Sequence, residues 1–301
     1  MKHKQPDIFI VEVGPRDGLQ NEKTFVDTPT KINFINQLST TGLSFIETTS
    51  FVNPQRIPQL ADNFEVYTHI DKKPGIIYSA LVPNLQGMHK ALQANIQSIA
   101  IFTAASDTFN QKNINCNIDE SIQRFHEVIK LAKQQQIPIR AYISCALGCP
   151  YEGYIHPEQV LKVAEKLAYY DIDDLSLSDT IGVSTPKQTT ALIQLFKNHF
   201  SLDTISMHFH DTYGQAIANV YTAINLGVKK FDSAIAGLGG CPYARGATGN
   251  LATEDLLYLT HGLGLETGVD IYKIVQLGDT ICKVLNRPNQ SKAARALLGN
   301  R

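Results

Sequence analysis

Short apolar runs rich in β-branched residues alternate along this chain with longer segments in which apolar residues recur every three or four positions. The first pattern is typical of buried strands and the second of amphipathic helices. The runs that predict strands are residues 8–13, 44–48, 76–81, 98–102, 139–144, 174–178, 204–210 and 231–235. The segments that predict helices are residues 29–38, 86–94, 122–132, 157–169, a segment that begins at 185, 216–226 and 251–263.

This alternation of strands and helices predicts an α/β fold, either an open doubly wound sheet or a (β/α)8 TIM barrel. The barrel is favoured because the predicted strands number eight and no glycine-rich dinucleotide-binding turn follows the first of them. We expect a barrel domain over residues 1–265 and a helical extension over residues 266–301 that packs on it. Thr28 is expected to cap the first helix, with Pro29 as its first residue.

The composition limits the classes of partner and the cell compartment. The chain has 301 residues, of which 43% are hydrophobic and 18% charged, and a net charge of −1. This balance argues against a nucleic-acid or membrane partner, and no apolar run is long enough to span a bilayer. The five cysteines, an odd number, indicate reduced thiols in a cytoplasm. Cys145 and Cys149 are interpreted as small buried residues.

Polar residues collect where the predicted strands end, which in a barrel is the mouth that carries the active site. His208 and His210 are two residues apart on one strand, so their side chains point to the same face. With Asp17, which follows the first strand, they form a two-histidine, one-carboxylate set, and Asn250 offers an amide oxygen as a fourth ligand. Such a set suits Mg²⁺ or Mn²⁺, and also Fe²⁺ or Zn²⁺. Asn250 is at the same time a candidate N-cap for the last barrel helix.

Further candidate residues surround this predicted centre. Arg16 stands in a Gly-Pro turn, where a guanidinium can stabilise an enolate or hold a carboxylate. Glu47 and Asp179 end predicted strands and are candidates for orienting the histidines or for holding Arg16. Glu254 is expected to be an exposed helical residue or to support the site in the same way. Cys241 lies in a glycine-rich loop, where a thiol can serve as an acid or a base.

Five segments of the chain carry a resemblance to a known family. They are residues 13–22, 47–52, 178–182, 208–212 and 237–243, with the sequences VGPRDGLQNE, ETTSFV, SDTIG, HFHDT and GLGGCPY. The Arg-Asp-Gly and His-x-His segments are shared with isopropylmalate synthases and pyruvate carboxylase domains, whereas Gly-Gly-Cys-Pro-Tyr is the narrower signature. Together they resemble the hydroxymethylglutaryl-CoA (HMG-CoA) lyase family.

The resemblance implies a retro-Claisen-type cleavage of (S)-3-hydroxy-3-methylglutaryl-CoA to acetyl-CoA and acetoacetate. The cation, Mg²⁺ or Mn²⁺, would be bound by Asp17, His208, His210 and Asn250. Arg16 would stabilise the enolate, and Cys241 would be the catalytic cysteine of the loop. Our hypothesis is that Cys241 protonates the enolate carbon and that His208 or Asp17 lies near the proton that is removed. Supporting roles would fall to Glu47, Asp179 and Glu254.

The resemblance also bears on the acyl-CoA substrate and on assembly. Members of the family use the segment after the barrel to meet the CoA end of the substrate, and Asn286 matches a residue of that segment. Pro288 stands where a basic residue is expected, and Lys292 is a candidate to replace it. The family also implies a homodimer.

Three other functions stay open beside this one. The chain is alternatively a lyase for a related branched 3-hydroxyglutaryl-CoA, since pocket size would decide between the two substrates. A two-histidine, one-carboxylate set also suits an Fe²⁺ oxygenase. A third alternative, from another class, is a non-catalytic binding barrel that retains the site.

Overall fold

The computed structural model describes residues 6–240 and 249–299. Within them, eight parallel strands pair in chain order and the last strand pairs with the first, which closes a barrel. The predicted (β/α)8 TIM barrel is therefore confirmed, and the open sheet is excluded. The strands are β1 (Phe9–Glu12), β2 (Phe45–Ser50), β3 (Ile77–Leu81), β4 (Ser98–Ala104), β5 (Ile139–Ser144), β6 (Asp174–Asp179), β7 (Ile205–Phe209) and β8 (Lys230–Ser233).

Helices connect the strands and cover the outside of the barrel. Those in the described residues are α1 (Thr28–Leu38), α2 (Asn63–His69), α3 (Leu85–Gln93), α4 (Asp107–Ile114), α5 (Ile118–Gln134), α6 (Pro157–Ala168), α7 (Pro186–Lys197), α8 (Ala216–Leu226), α9 (Thr253–Gly262), α10 (Ile271–Leu285) and α11 (Lys292–Gly299). α2 lies in the connection between β2 and β3, for which the apolar spacing predicted no helix. α4 is a further short helix before α5.

Two predicted helix caps are wrong by one or two residues. Asp27, not Thr28, caps α1: its backbone is extended and its carboxylate accepts a hydrogen bond from the amide of Thr30 at 2.9 Å. α9 starts after Ala252. Asn250 is not its cap, because the backbone of Asn250 is extended into a β-bridge with His210.

The barrel interior is unusually polar. Alternate residues of a strand point in opposite directions, and on some strands one of the two sets is polar. On β5, Ile139, Ala141 and Ile143 belong to the apolar core. Between them, Arg140 and Tyr142 hydrogen-bond side chains of other strands across the interior. TIM-barrel interiors are ordinarily filled by branched apolar side chains. The polar interior here places charged groups beneath the mouth.

The last helices pack on the barrel at its β8 and β1 side. α10 packs against α1, α9 and the turn Ile235–Gly237, and α11 packs against α9 and α10. The end of α10 is tied to the loop after β1, since Thr24 Oγ1 donates to the carbonyl of Leu285 at 2.9 Å. A domain boundary near residue 265 stays a prediction. No helix among the described residues combines the length and apolar character that crossing a bilayer requires.

Candidate metal centre and active site

Asp17, His208 and His210 meet at the mouth of the barrel. Each of the three offers one ligand atom, and these atoms all lie within 4.8 Å of one another. Asp17 is part of a π-helical turn, Gly14–Gly18, that follows β1. His208 lies in β7 and His210 directly after it, with their ring centroids 5.2 Å apart. The predicted two-histidine, one-carboxylate cluster therefore exists as a geometric unit.

Two buried polar atoms beside this cluster have no hydrogen-bond partner among the described residues. They are His210 Nδ1 and Asn250 Oδ1. The amide nitrogen of Asn250 donates to Asp17 Oδ2 at 2.9 Å and to the carbonyl of Leu238 at 3.0 Å. Because buried polar atoms are ordinarily paired, an orphaned nitrogen and an orphaned oxygen beside a carboxylate fit a bound cation. The mixed donor set accommodates Mg²⁺ or Mn²⁺ and equally Fe²⁺ or Zn²⁺.

A glycine permits this close packing of Asn250. Gly239 has a φ of +106°, and a Cβ added there would lie 2.7 Å from Asn250 Nδ2. The next residue, Gly240, is held by Asn21, whose Nδ2 donates to its carbonyl at 2.9 Å. Cys241, the predicted catalytic thiol, lies outside the described residues. The structure thus describes the loop up to the residue before Cys241.

Arg16 is buried against the cluster and is held by two carboxylates. Its Nη1 donates to Asp17 Oδ1 at 2.6 Å, and its Nε makes a short hydrogen bond to Glu47 Oε1. Glu47 Oε2 accepts in turn from Tyr142 Oη at 2.7 Å, and the Tyr142 ring lies 5.3 Å from the guanidinium carbon. Burial alone would lower the pKa of Arg16, but the Glu47 and Asp17 carboxylates raise it.

The ionised state of Asp17 is stabilised by the same contacts. Burial would raise the pKa of the Asp17 carboxyl, but Arg16 holds it well below its usual range. His210 behaves oppositely: burial, followed by the nearby His208, lowers the pKa of the His210 imidazole to about 4. At neutral pH, Asp17 is therefore a carboxylate and His210 a neutral imidazole. These are the protonation states in which the two side chains bind a cation.

A carboxylate that the sequence pattern did not single out, Asp232, contacts a histidine of the cluster. Its Oδ2 lies 3.1 Å from His208 Nδ1, and Arg140 Nη2 makes a short hydrogen bond to its Oδ1. Burial would raise the pKa of Asp232, but Arg140 lowers it. A signal was present, since an aspartate stands among apolar and small residues inside the predicted strand 231–235.

A family model described as HMGL-like matches residues 7–281 of this chain. The chain belongs to the HMGL-like family. The cytoplasmic 3-hydroxy-3-methylglutaryl-CoA lyase of Rattus norvegicus is 53% identical over 289 residues, which cover 96% of this chain and 84% of that protein. The 3-hydroxy-3-isohexenylglutaryl-CoA/hydroxy-methylglutaryl-CoA lyase of Pseudomonas aeruginosa is 50% identical over 97% of both chains. A crystal structure of hydroxymethylglutaryl-CoA lyase from Pseudomonas aeruginosa superposes with a TM-score of 0.96 at 49% identity, over 98% of this chain and 99% of that one.

Asp179, for which the resemblance to HMG-CoA lyases implied a supporting role, contacts a turn of the backbone. Asp179 accepts hydrogen bonds from the Val183 amide at 3.1 Å and from the Ser184 amide and hydroxyl at 3.0 and 2.6 Å. It therefore stabilises the turn after β6, because the 180–184 segment folds back over its carboxylate, and it has no hydrogen bond to a histidine of the described residues. Burial raises the pKa of Asp179.

Glu254 is fully buried, so the expectation that it is an exposed helical residue is wrong. Both of its carboxylate oxygens accept from the Ala236 amide, at 3.0 and 2.9 Å. Burial raises the pKa of Glu254 to about 8. Glu254 is buried because α10 packs against α9 and covers the helix face that carries Glu254.

The residues expected to meet the CoA end of the substrate lie at the end of α10 and the start of α11. Asn286 is exposed and adopts a left-handed backbone with a φ of +51°. Its neighbour Arg287 forms an ion pair with Glu22 of the loop after β1. Lys292 lies 3.1 Å from Asp211, which directly follows His210. These residues are therefore near the mouth, and their contacts with CoA stay a prediction.

Proposed function

We propose that this chain is a divalent-cation-dependent carbon–carbon lyase that cleaves 3-hydroxy-3-methylglutaryl-CoA to acetyl-CoA and acetoacetate. The observation that carries the proposal is the cluster of Asp17, His208 and His210 with Arg16 packed against it. This cluster belongs to a chain that is 50% identical, over 97% of both sequences, to a bacterial lyase named for this acyl-CoA. Site and relatives therefore support the same reaction class.

The proposed cation would be held by Asp17, His208, His210 and Asn250. The two unpaired atoms, His210 Nδ1 and Asn250 Oδ1, support this ligand set. When bound, the cation supplies a Lewis acid for the tertiary hydroxyl and carboxylate oxygens of the substrate. Mg²⁺ and Mn²⁺ are proposed because both accept mixed oxygen and nitrogen ligands together with substrate oxygens.

Arg16 is proposed to stabilise the enolate of the departing acetyl-CoA. Its Nε and Nη1 are engaged by Glu47 and Asp17, and Nη2 has no hydrogen bond to a described residue. This third nitrogen is available to a substrate oxygen. A guanidinium that is already oriented needs no rearrangement as negative charge develops, which is the basis of electrostatic catalysis.

The proposed reaction moves two protons. The tertiary hydroxyl loses its proton, the bond between C2 and C3 breaks, and the electron pair passes to the acetyl-CoA enolate, which is then protonated on carbon. His208 and Asp17 are proposed to lie near the proton that the first step removes, since both belong to the cluster, and Asp17 is ionised. Cys241 is proposed as the acid for the last step on the strength of the family resemblance.

A coupled assay of acetoacetate and acetyl-CoA tests the proposal. We expect cleavage of 3-hydroxy-3-methylglutaryl-CoA that disappears with EDTA and returns with Mg²⁺ or Mn²⁺, under reducing conditions. A folded, reduced protein with bound metal that cleaves nothing would contradict the proposal and favour the binding barrel. A strict requirement for O₂ would indicate the oxygenase instead.

A second candidate substrate is a related 3-hydroxyglutaryl-CoA with a longer branch. The relative from Pseudomonas aeruginosa supports it, because its name includes 3-hydroxy-3-isohexenylglutaryl-CoA. Comparing kcat/KM for the methyl and isohexenyl thioesters in the same assay distinguishes the two. A ratio above 100 for either substrate would assign the preference.

We also propose a homodimer, which the family resemblance supports, and a cytoplasmic location, which the odd number of cysteines supports. Light scattering of the purified chain tests the first expectation, since the monomer has a mass of 33.3 kDa. A species with the monomer mass across micromolar concentrations would contradict it.

A further inference from the structure

The two histidines of the metal cluster have different surroundings. His208 Nδ1 lies 3.1 Å from Asp232 Oδ2, whereas His210 Nδ1 is buried with no partner among the described residues. Both imidazoles are about equally buried, at 5% exposure each. The difference therefore lies in the hydrogen bonds and not in solvent access.

The contact with Asp232 selects one tautomer of His208. An ionised carboxylate can only accept a hydrogen bond, so Nδ1 must carry the proton. The lone pair then resides on Nε2, the nitrogen left to bind a cation together with Asp17 and His210. Without an acceptor at Nδ1, the two neutral tautomers would compete, and one of them blocks Nε2.

We propose that Asp232 is a positioning residue of this enzyme, which fixes the tautomer and the ring orientation of His208 for cation binding. The inference rests on the proposed metal centre. It assigns to Asp232 the orienting role that the sequence pattern suggested for Glu47 or Asp179. Carboxylates that orient a ligand histidine in this way ordinarily change metal affinity by about 10- to 100-fold.

Asp232 is itself held rigidly, which a positioning residue requires. Arg140 Nη2 makes a short hydrogen bond to its Oδ1, and Ser176 Oγ donates to its Oδ2 at 3.1 Å. These partners come from β5 and β6, and the register of β7 with β8 sets His208 directly opposite Asp232. All four residues lie on strands of the closed barrel, so their separation is determined by the sheet.

Arg140 also contacts a second carboxylate, and this provides a matched control. Asp174 Oδ2 lies 3.4 Å from Arg140 Nη1, and Asp174 accepts from Ser206 Oγ at 2.9 Å. Asp174 therefore pairs with the same arginine as Asp232 but has no hydrogen bond to His208. Asp174→Asn perturbs the same charge cluster and leaves the contact between Asp232 and His208 in place.

The first experiment measures Mn²⁺ binding to the metal-free protein by calorimetry, without substrate. We expect Asp232→Asn to weaken the affinity by about 10- to 100-fold, and Asp174→Asn by less than threefold. Equal losses in the two variants, or no loss in Asp232→Asn, would overturn the inference. Thermal unfolding of both variants establishes that the comparison is made on folded protein.

The second experiment reads the tautomer in the native chain and uses a variant only to assign the signal. The histidine ¹⁵N spectrum of the metal-free native chain at pH 8 reports which ring nitrogen carries hydrogen, and loss of one signal in His208→Gln assigns it. We expect the Nδ1-protonated tautomer for His208. An Nε2-protonated His208 would overturn the inference.

These readouts separate the inference from the proposed function. If the native chain binds Mn²⁺ and Asp232→Asn weakens that binding, the positioning role stands even when no acyl-CoA is cleaved. If the native chain cleaves 3-hydroxy-3-methylglutaryl-CoA and Asp232→Asn binds Mn²⁺ as tightly as the native chain, the lyase proposal stands and the positioning role fails. A native chain that binds no Mn²⁺ overturns the inference.

Discussion

Six carboxylates of this barrel, five of them buried and Asp17 half-buried, form two groups that differ in their partners. The ion-paired group contacts arginine, and the neutral-partner group contacts only amides and hydroxyls of the described residues. The ion-paired group consists of Asp17, Glu47 and Asp232. The neutral-partner group consists of Glu12, Asp179 and Glu254.

The two groups differ in their protonation. Burial by itself raises the pKa of a carboxyl, but Arg16 and Arg140 more than offset this effect for Asp17 and Asp232. With no cation in contact, burial prevails and raises the pKa of Glu12 to about 7 and of Glu254 to about 8. At neutral pH, Asp17 and Asp232 therefore carry charge, whereas the neutral-partner glutamates hold protons for much or most of the time.

The ion-paired and neutral-partner carboxylates also differ in their position and in the groups that they hold in place. The ion-paired carboxylates contact Arg16 or His208 at the barrel mouth or directly beneath it. The neutral-partner carboxylates bind the backbone of turns that follow strands: Glu12 accepts from the amides of Gly14 and Ile235, at 2.8 and 3.0 Å. Buried acids of one barrel thus serve either the proposed chemistry or the loops around it, according to whether an arginine lies beside them.

Arg16→Met should have the largest effect, because it removes the cation from the ion-paired group. We expect kcat for 3-hydroxy-3-methylglutaryl-CoA to fall by about 10²- to 10³-fold, the usual loss when an oriented charge stabiliser is deleted. Steady-state kinetics at saturating Mn²⁺ measure it. Lys31→Met is the control, since Lys31 is a buried cation that pairs with Asp62 and has no hydrogen bond to Asp17, Glu47 or the two histidines. A loss below threefold for Arg16→Met would refute its role.

Glu254→Gln tests the other group through stability. The pKa of Glu254 in the folded protein is raised from 4.5 to about 8, so its contribution to stability is fully present below pH 4.5 and is lost as the pH rises to about 8. Glutamine does not titrate. Between pH 5 and pH 8 the variant should therefore gain free energy of unfolding relative to the native chain, on the order of a few kcal/mol.

Urea denaturation at several pH values between 5 and 8 measures this gain. The control is Glu65→Gln, which changes an exposed glutamate of α2. Its stability relative to the native chain should not vary with pH. A flat difference for Glu254→Gln as well would mean that Glu254 is ionised in the folded protein and that the two groups of carboxylates do not differ in protonation.

The fold and the position of the site were predictable because they depend on local patterns. Strand and helix periods are visible along the chain, and eight repeats suffice to predict a closed barrel. Closure brings strand ends together, so the convergence of Asp17, His208 and His210 follows from their places at those ends. None of these steps requires knowing which side chains touch.

The partners of the acidic residues were not predictable in the same way. Glu47, Asp179 and Glu254 look alike in the sequence, but contacts made across the barrel divide them between the two groups. The contact between His208 and Asp232 depends on the register between β7 and β8, which no local pattern encodes. One signal was nevertheless available, because the alternating polar residues of β5 indicate a polar barrel interior.

Glu47→Gln asks how much of the Arg16 effect depends on its orientation. The variant keeps an oxygen that can accept from Arg16 Nε but removes the charge that faces the guanidinium. Charge-assisted hydrogen bonds are worth about 1.5–3 kcal/mol, and only part of that affects the reaction, so we expect a loss of about tenfold in kcat. A loss as large as that of Arg16→Met would instead indicate that Glu47 has a chemical role of its own.

Tyr142→Phe should have the smallest effect, since it deletes only the hydroxyl that donates to Glu47 Oε2 at 2.7 Å. The ring, 5.3 Å from Arg16 and 6.1 Å from His208, stays in place. One hydrogen bond contributes about 0.5–1.5 kcal/mol, so we expect kcat to fall by about two- to tenfold. Because the hydroxyl acts through Glu47, the loss should disappear in the Glu47→Gln background, as a double-mutant cycle detects. Losses that multiply in the double variant would mean that the Tyr142 hydroxyl affects the reaction independently of Glu47.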